Sequence, residues 1–332
     1  MRSAKEKDEE MIIQIVNPHN LYSVKESLVN IPLDFVSLNE ISLLLDERGV
    51  KTSIAEKEKV KIERLMRELC KLAQILNEKK VKYVIIKLPR LPKPLSDIDL
   101  LIIDSVVTID VILKQMGYVL EDYSEPHRRT YVKLVDGERV VIDMHLELSW
   151  RRVIYLEKEE IWRERKMRMI DGIEIPVPCS EHELLISAAH AIFKHNKITL
   201  FDILHTYTIL KRDNINMDVI ERITKRNGWY KQFLFYIKAI KVLYRELYLE
   251  KGEGDSQREI ERLPYIFPLH VVIALRGQKL FFDLRRFRIR EVFKDSYAYL
   301  LDIVQYIFEE KLNISLSFFF NMLQFLKRRL GV

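Results

Sequence analysis

Ser96-Asp97-Ile98-Asp99-Leu100-Leu101-Ile102-Ile103 reads as a short apolar β-strand entered through two aspartates. Side chains alternate across a strand, so Asp97 and Asp99, at i and i+2, leave the same face. Two carboxylates this close repel each other, and the pair is costly unless a cation lies between them. Hard oxygen ligands of this kind select Mg²⁺ or Mn²⁺ over softer metals. Further along, Val140-Val141-Ile142-Asp143-Met144-His145-Leu146-Glu147 alternates in the same way and places Asp143, His145 and Glu147 on one face. Three carboxylates on neighbouring strands fit two-metal phosphoryl or nucleotidyl transfer, where one ion activates the attacking oxygen and the other holds the triphosphate with its leaving group. An isolated Asp-x-Asp is as often a solvated strand end. Here the preceding Ser96, the apolar strand and the later Asp-x-His strand together point to chemistry.

The surrounding patterns place this strand in an α/β fold. Apolar residues at helical spacing predict one long amphipathic helix over 56–79. A β-branched strand follows over 81–87, then the aspartate strand over 98–103, then a helix over 108–117 closed by Gly117. Residues 131–134 and 139–148 flank Asp136-Gly137, a two-residue hairpin signal, and 167–170 with 173–177 flank Asp171-Gly172 in the same manner. The expectation is a small mixed sheet with one helix before its first strand and another after its second. From Ser180 onward the patterns are helical, opening with Ser180-Glu181-His182-Glu183 as a capping box. The expected domains are a helical lead-in over 1–55, an α/β domain over 56–178 and an all-helical domain over 179–332. Within the lead-in, Ser37-Leu38-Asn39-Glu40 before Ile41 and Leu44 reads as a capped helix start.

Composition permits this organisation. The 332 residues are enough for two cores, and 48% hydrophobic with 31% charged residues is a globular balance with a highly charged surface. The formal charge of +6 suits a polyanionic substrate without requiring nucleic acid. Cys70 and Cys179, the two cysteines, suggest neither a disulfide framework nor a cysteine zinc site. The charged first ten residues and the lack of a long apolar run predict a cytoplasmic protein.

Several segments gather at positions that resemble a known family. Val84-Ile85-Ile86-Lys87, Arg90, Ser96-Asp97-Ile98-Asp99, Asp143-Met144-His145 and Glu183-Leu184-Leu185, followed by His190, His195 and Leu200-Phe201-Asp202, are similar to the motifs of the uncharacterised nucleotidyltransferases in the polymerase-β-like superfamily. The resemblance covers about residues 56–210. It implies a nucleotidyltransferase α/β sheet followed by a helical domain, and transfer of NMP from an NTP with Mg²⁺ or Mn²⁺ to an acceptor that is a small molecule, a protein or RNA. Asp97, Asp99 and Asp143 are then the metal-binding and catalytic carboxylates, and Ser96, Lys87, Arg90, Lys93, Arg128 and His145 the nucleotide-binding set. One departure matters: the family's Gly-Gly or Gly-Ser pair after the first strand is replaced by Leu88-Pro89. Pro89 has no N–H to offer a phosphate and Leu88 adds bulk. Either Lys87, Arg90 and Lys93, on a loop stiffened by Pro89, Pro92 and Pro94, replace the backbone dipoles with full charges, or the site is a catalytically silent nucleotide-binding or scaffold remnant.

Other residues carry weaker signals. His127-Arg128-Arg129 suits either phosphate recognition or a solvated turn. His190 and His195, five apart on a helix, lie about 140° apart around its axis and make poor joint ligands. Arg285, Arg286, Arg288 and Arg290 fit a solvated helix face better than a nucleic-acid patch. The apolar run 314–330, ending in Lys327-Arg328-Arg329, reads as a buried closing helix rather than an interfacial membrane anchor or, if exposed, as a homodimer surface.

Overall fold

The computed structural model describes Val16 and residues 33–122, 127–150, 153–195 and 198–248. The expected helix is α3 (Ser53–Glu78), preceded by α1 (Leu33–Leu38) and α2 (Ser42–Glu47). Thr52 caps α3, its hydroxyl accepting the Ala55 N–H at 3.0 Å. Leu65, Leu69, Leu72, Ala73 and Leu76 form a buried stripe along it, at the i, i+3, i+4 spacing that puts apolar side chains on one face. The capped start expected at Ser37-Leu38 is not formed, because those two residues close α1 and Ile41 precedes α2 without a side-chain cap. Asn39 instead caps a distant helix: its Oδ1 accepts the Leu200 N–H at 3.1 Å and its carbonyl that of Phe201.

The sheet consists of β1 (Tyr83–Ile85), β2 (Ile98–Ile102), β3 (Val119–Asp122), β4 (Arg128–Val135) and β5 (Glu138–His145), with α4 (Val106–Gln115) between β2 and β3. Its order is β1-β2-β5-β4-β3, with β2 and β5 parallel and the other neighbours antiparallel. Ile98, Leu100 and Ile102 of β2, Tyr131 of β4 and Val140, Ile142 and Met144 of β5 join the α3 stripe and Ile109, Ile112 and Leu113 of α4 in one core. Both helices therefore cover one face. At roughly 1.5–3 kcal/mol for each fully buried aliphatic side chain, this shared core sets the strand order. The alternation of β2 leaves Asp99 and Leu101 on the opposite face.

The β4–β5 hairpin turns at Asp136 (φ 55°) and Gly137 (φ 77°). Left-handed conformations at both positions match the twist of the flanking strands, which is why Asp-Gly occurs there. The strand expected to reach residue 148 ends at His145, and β6 (Leu148–Trp150) then pairs with β7 (Val153–Leu156). After α5 (Lys158–Arg163), the second Asp-Gly hairpin joins β8 (Lys166–Ile170) to β9 (Ile173–Val177), where Ile175 and Val177 enter the main core.

The helical part comprises α6 (Ser180–Ala189), α7 (Leu200–Arg212), α8 (Met217–Arg226) and α9 (Tyr230–Tyr248). Thr199 and Asp202 form a reciprocal capping box at the start of α7. Leu184, Leu185, Ile203, Leu204, Ile220, Ile223, Phe233 and Tyr236 are buried, and the Trp229 indole donates to the Tyr155 carbonyl at 3.1 Å. All of these elements fall within one compact unit, Met1–Ala189 with Thr199–Ser256. A second unit, His190–Ile198 with Gln257–Val332, is described at 190–195 and Ile198; there His190–His195 is a π-helix, so the expected continuous α-helix stops at Ala189. The polar loop 251–256, the arginine segment 285–290, the closing helix over 314–330 and any homodimer surface on it lie outside the described residues. Among the described residues no helix is long and apolar enough to cross a membrane.

Candidate active site

Parallel pairing of β2 with β5 sets Asp99 directly opposite Asp143. The hairpin in turn sets Thr130 opposite Asp143 and Arg128 opposite His145, so these side chains share the face opposite α3 and α4. Asp99 and Asp143 are 3% and 5% exposed. Buried carboxylates need compensating charge or hydrogen bonds, and both have them. Lys87 Nζ donates to Asp99 Oδ1 at 2.7 Å, and His145 Nε2 meets the same oxygen at 2.8 Å. Thr130 Oγ1 donates to Asp143 Oδ1 at 2.7 Å, and Arg128 Nη1 to Asp143 Oδ2 at 3.2 Å. Burial opposes ionisation of Asp99, but Lys87 and then His145 outweigh it and hold the carboxyl well below the usual carboxylate range. Burial likewise disfavours the Lys87 charge, and Asp99, with Asp97 and Asp143 beyond it, raises the lysine pKa all the same.

Asp97 lies in the bend before β2 and accepts the Ser96 hydroxyl at 2.9 Å. Its pKa moves upward, through burial first and the Asp99 charge second. Among the described residues, the donors that converge within 4.8 Å of one another are Asp99, Asp143 and His145. Two carboxylate oxygens and an imidazole nitrogen fit a divalent ion, Mn²⁺ as well as Mg²⁺. Lys87 is a cation seated directly on Asp99, one of the same donors. Glu147, expected on the same face, falls beyond the end of β5 and pairs with His127 Nδ1 at 3.0 Å.

The loop 86–97 takes a different course from the expected phosphate cradle. Arg90 Nε donates to Glu183 Oε2 at 2.9 Å and its Nη2 to Ser180 Oγ at 2.8 Å, while Nη1 lies 2.6 Å from Asp213 Oδ2. Glu183 Oε1 also meets His205 Nε2 at 3.0 Å, and Ser180 Oγ accepts from Lys166 as well. The expected capping box at Ser180 and Glu183 is therefore replaced by this ion-pair network. Lys93 pairs with Glu40 at 2.9 Å and lies 4.9 Å over the Phe201 ring. From β8, Arg168 Nη1 donates to the Leu88 carbonyl at 2.8 Å and approaches that of Pro89 at 3.4 Å.

Sequence reasoning missed Thr130, Arg168 and Asp213. The signal for Thr130 was available: a two-residue turn at 136–137 pairs Val135 with Glu138, and counting back pairs Thr130 with Asp143. Arg168 and Asp213 carry no comparable local signal.

The sequence profile of a family described as an uncharacterised nucleotidyltransferase matches residues 52–245, more than half of the chain. The chain belongs to this family. Nucleotidyl transfer is the general kind of activity that membership supports, and the matched span runs from the cap of α3 into α9, taking in the sheet, the carboxylates and the Arg90 network. No curated protein and no solved structure matches it significantly.

Proposed function

We propose that the protein is a divalent-metal-dependent nucleotidyltransferase that moves an NMP from an NTP to an acceptor. The observation that carries this reading is the abreast placement of Asp99 and Asp143 on parallel strands with His145 beside them. Asp99, Asp143 and His145 would hold the ion, with Asp97 at the rim of the same face. A bound Mg²⁺ or Mn²⁺ supplies charge neutralisation for the triphosphate and its departing pyrophosphate. The protein's own part is orientation. Thr130 and Arg128 hold the two oxygens of Asp143 and so orient that carboxylate, which takes the acceptor's proton as the acceptor oxygen bonds to the α-phosphorus and pyrophosphate leaves. Lys87 and Arg128 border the carboxylates as fixed cations for phosphate oxygens. Arg90 and Lys93 act instead through the shape of the loop. The buried free cysteines Cys70 and Cys179 suit a reducing, cytoplasmic setting.

The test combines chemistry and binding. Incubating the protein with each NTP, Mn²⁺ or Mg²⁺ and a cell extract should yield NMP-modified acceptors and released pyrophosphate by mass spectrometry. Asp97→Asn together with Asp99→Asn should abolish metal-dependent triphosphate binding in calorimetry while the circular dichroism spectrum is kept. Undiminished binding by that variant sinks the site assignment. A second reading, a silent nucleotide-binding scaffold, is favoured by Leu88-Pro89 and by the cations already resting on Asp99 and Asp143. It calls for metal-independent triphosphate binding, or none.

A further inference from the structure

Lys87 is bracketed by backbone anchors. On one side the Ile86 N–H donates to the Asp99 carbonyl at 3.1 Å, continuing the β1–β2 ladder by one residue. On the other, Arg168 holds the carbonyls of Leu88 and Pro89. The lysine is thus delivered to the carboxylates by main chain fixed before and after it, where a long side chain on an unrestrained loop would be a mobile counterion. Its ammonium occupies one oxygen of Asp99, the most deeply buried of the three aspartates.

Charge limits what else the site can hold. Asp97, Asp99 and Asp143 face Lys87 and Arg128, so two fixed cations already lie against these carboxylates. A second divalent ion alongside Lys87 would face strong repulsion at these separations in a partly dehydrated site. We propose that Lys87 takes the place of one of the two cations for which such a carboxylate triad is built, so that the site binds one divalent ion, on Asp99, Asp143 and His145. The inference rests on the metal-dependent reading above and adds a specific role to it. Lys87 is a built-in cation, present at any metal concentration, and Asp97 is the carboxylate released from metal binding by it.

The stoichiometry of Mn²⁺ tests this on the full-length protein, without nucleotide, by titration with calorimetry and with the electron paramagnetic resonance signal of free Mn²⁺. Wild type should bind one ion per chain. Lys87→Met should bind two, and adding Asp97→Asn to it should return the count to one. Lys87→Arg, which keeps the charge, should stay at one. Two ions on wild type, or one on a Lys87→Met protein whose melting curve shows it folded, overturns the proposal and leaves metal-dependent transfer standing. If Lys87→Met does not fold, the wild-type count still decides. No Mn²⁺ binding by wild type instead overturns the metal-dependent reading itself, so the two failures are distinct.

Discussion

Two charged clusters flank the loop 86–97, and they are opposite in construction. On the sheet, the buried carboxylates Asp99 and Asp143 gather Lys87, His145 and Arg128 around them. At the start of α6, the single guanidinium of Arg90 gathers Glu183, Asp213 and Ser180, so that all three of its nitrogens are engaged. A planar fork with that many acceptors is locked in direction, and it holds backbone in place. A pair of anions compensated from several sides can exchange one partner for another, and it accepts a ligand. The comparison separates a cluster that fixes shape from a cluster that can bind.

Loss of the Arg90 cluster should cost the most. Arg90→Ala leaves Glu183 and Asp213 half-buried without their shared cation and should lower the unfolding free energy by about 2–4 kcal/mol, a buried-pair cost reduced for partial exposure. Urea unfolding would show the loss, and Mn²⁺ should not restore it. Lys87→Met should also destabilise, by uncovering Asp99, but there saturating Mn²⁺ should return most of the stability, because a ligand that binds only the folded state stabilises it by mass action. Recovery in both variants, or in neither, would erase the distinction.

A smaller effect is expected from replacing Leu88-Pro89 with Gly-Ser. The Arg168 bonds go to main-chain carbonyls and survive the exchange, but the rigidity of the proline is lost. Conformational freedom of this kind is worth roughly 0.4–1 kcal/mol, so triphosphate affinity should fall about two- to fivefold in a calorimetric titration. A gain in affinity would favour the silent scaffold, whose missing donors the new residues would supply.

Acid probes the Arg90 cluster through Glu183. Burial pushes the Glu183 carboxyl up, yet His205 and Arg90 more than compensate, and its pKa lies below the ordinary 4.5. The folded value is below the unfolded one, so the unfolded chain binds more protons in that window. Stability from this cluster is therefore present above about pH 4.5 and lost as pH falls through the depressed folded value. Glu183→Gln should flatten the decline in unfolding free energy between about pH 5 and pH 3. An acid limb identical to that of wild type would show that the network contributes nothing through Glu183.

The elements around the site were legible because each has a local cause. The 56–79 helix follows from apolar spacing, and both hairpins follow from Asp-Gly pairs that tolerate positive φ. Of the three carboxylates that the resemblance names, Asp99 and Asp143 converge with His145, while Asp97 lies in the bend before β2. The loop cations were harder to place, since Lys87, Arg90 and Lys93 look equivalent along the chain while the structure sends them to three different partners: Asp99, the Glu183–Asp213 pair and Glu40. Which anion a long cationic side chain meets depends on elements up to 123 positions away, as from Arg90 to Asp213.

Chain order alone therefore reaches as far as the hairpin register. The turn at Asp136-Gly137 closes locally, and once closed it forces Thr130 against Asp143 and Arg128 against His145 whatever the rest of the chain does. Nothing local brings β2 beside β5. Their parallel pairing joins strands about 40 residues apart and follows from burying Ile98, Leu100, Ile142 and Met144 against α3 and α4 in one core. That packing sets Asp99 abreast of Asp143 and turns two separate acidic strands into one site, because alternation puts the carboxylates on the face opposite the buried side chains.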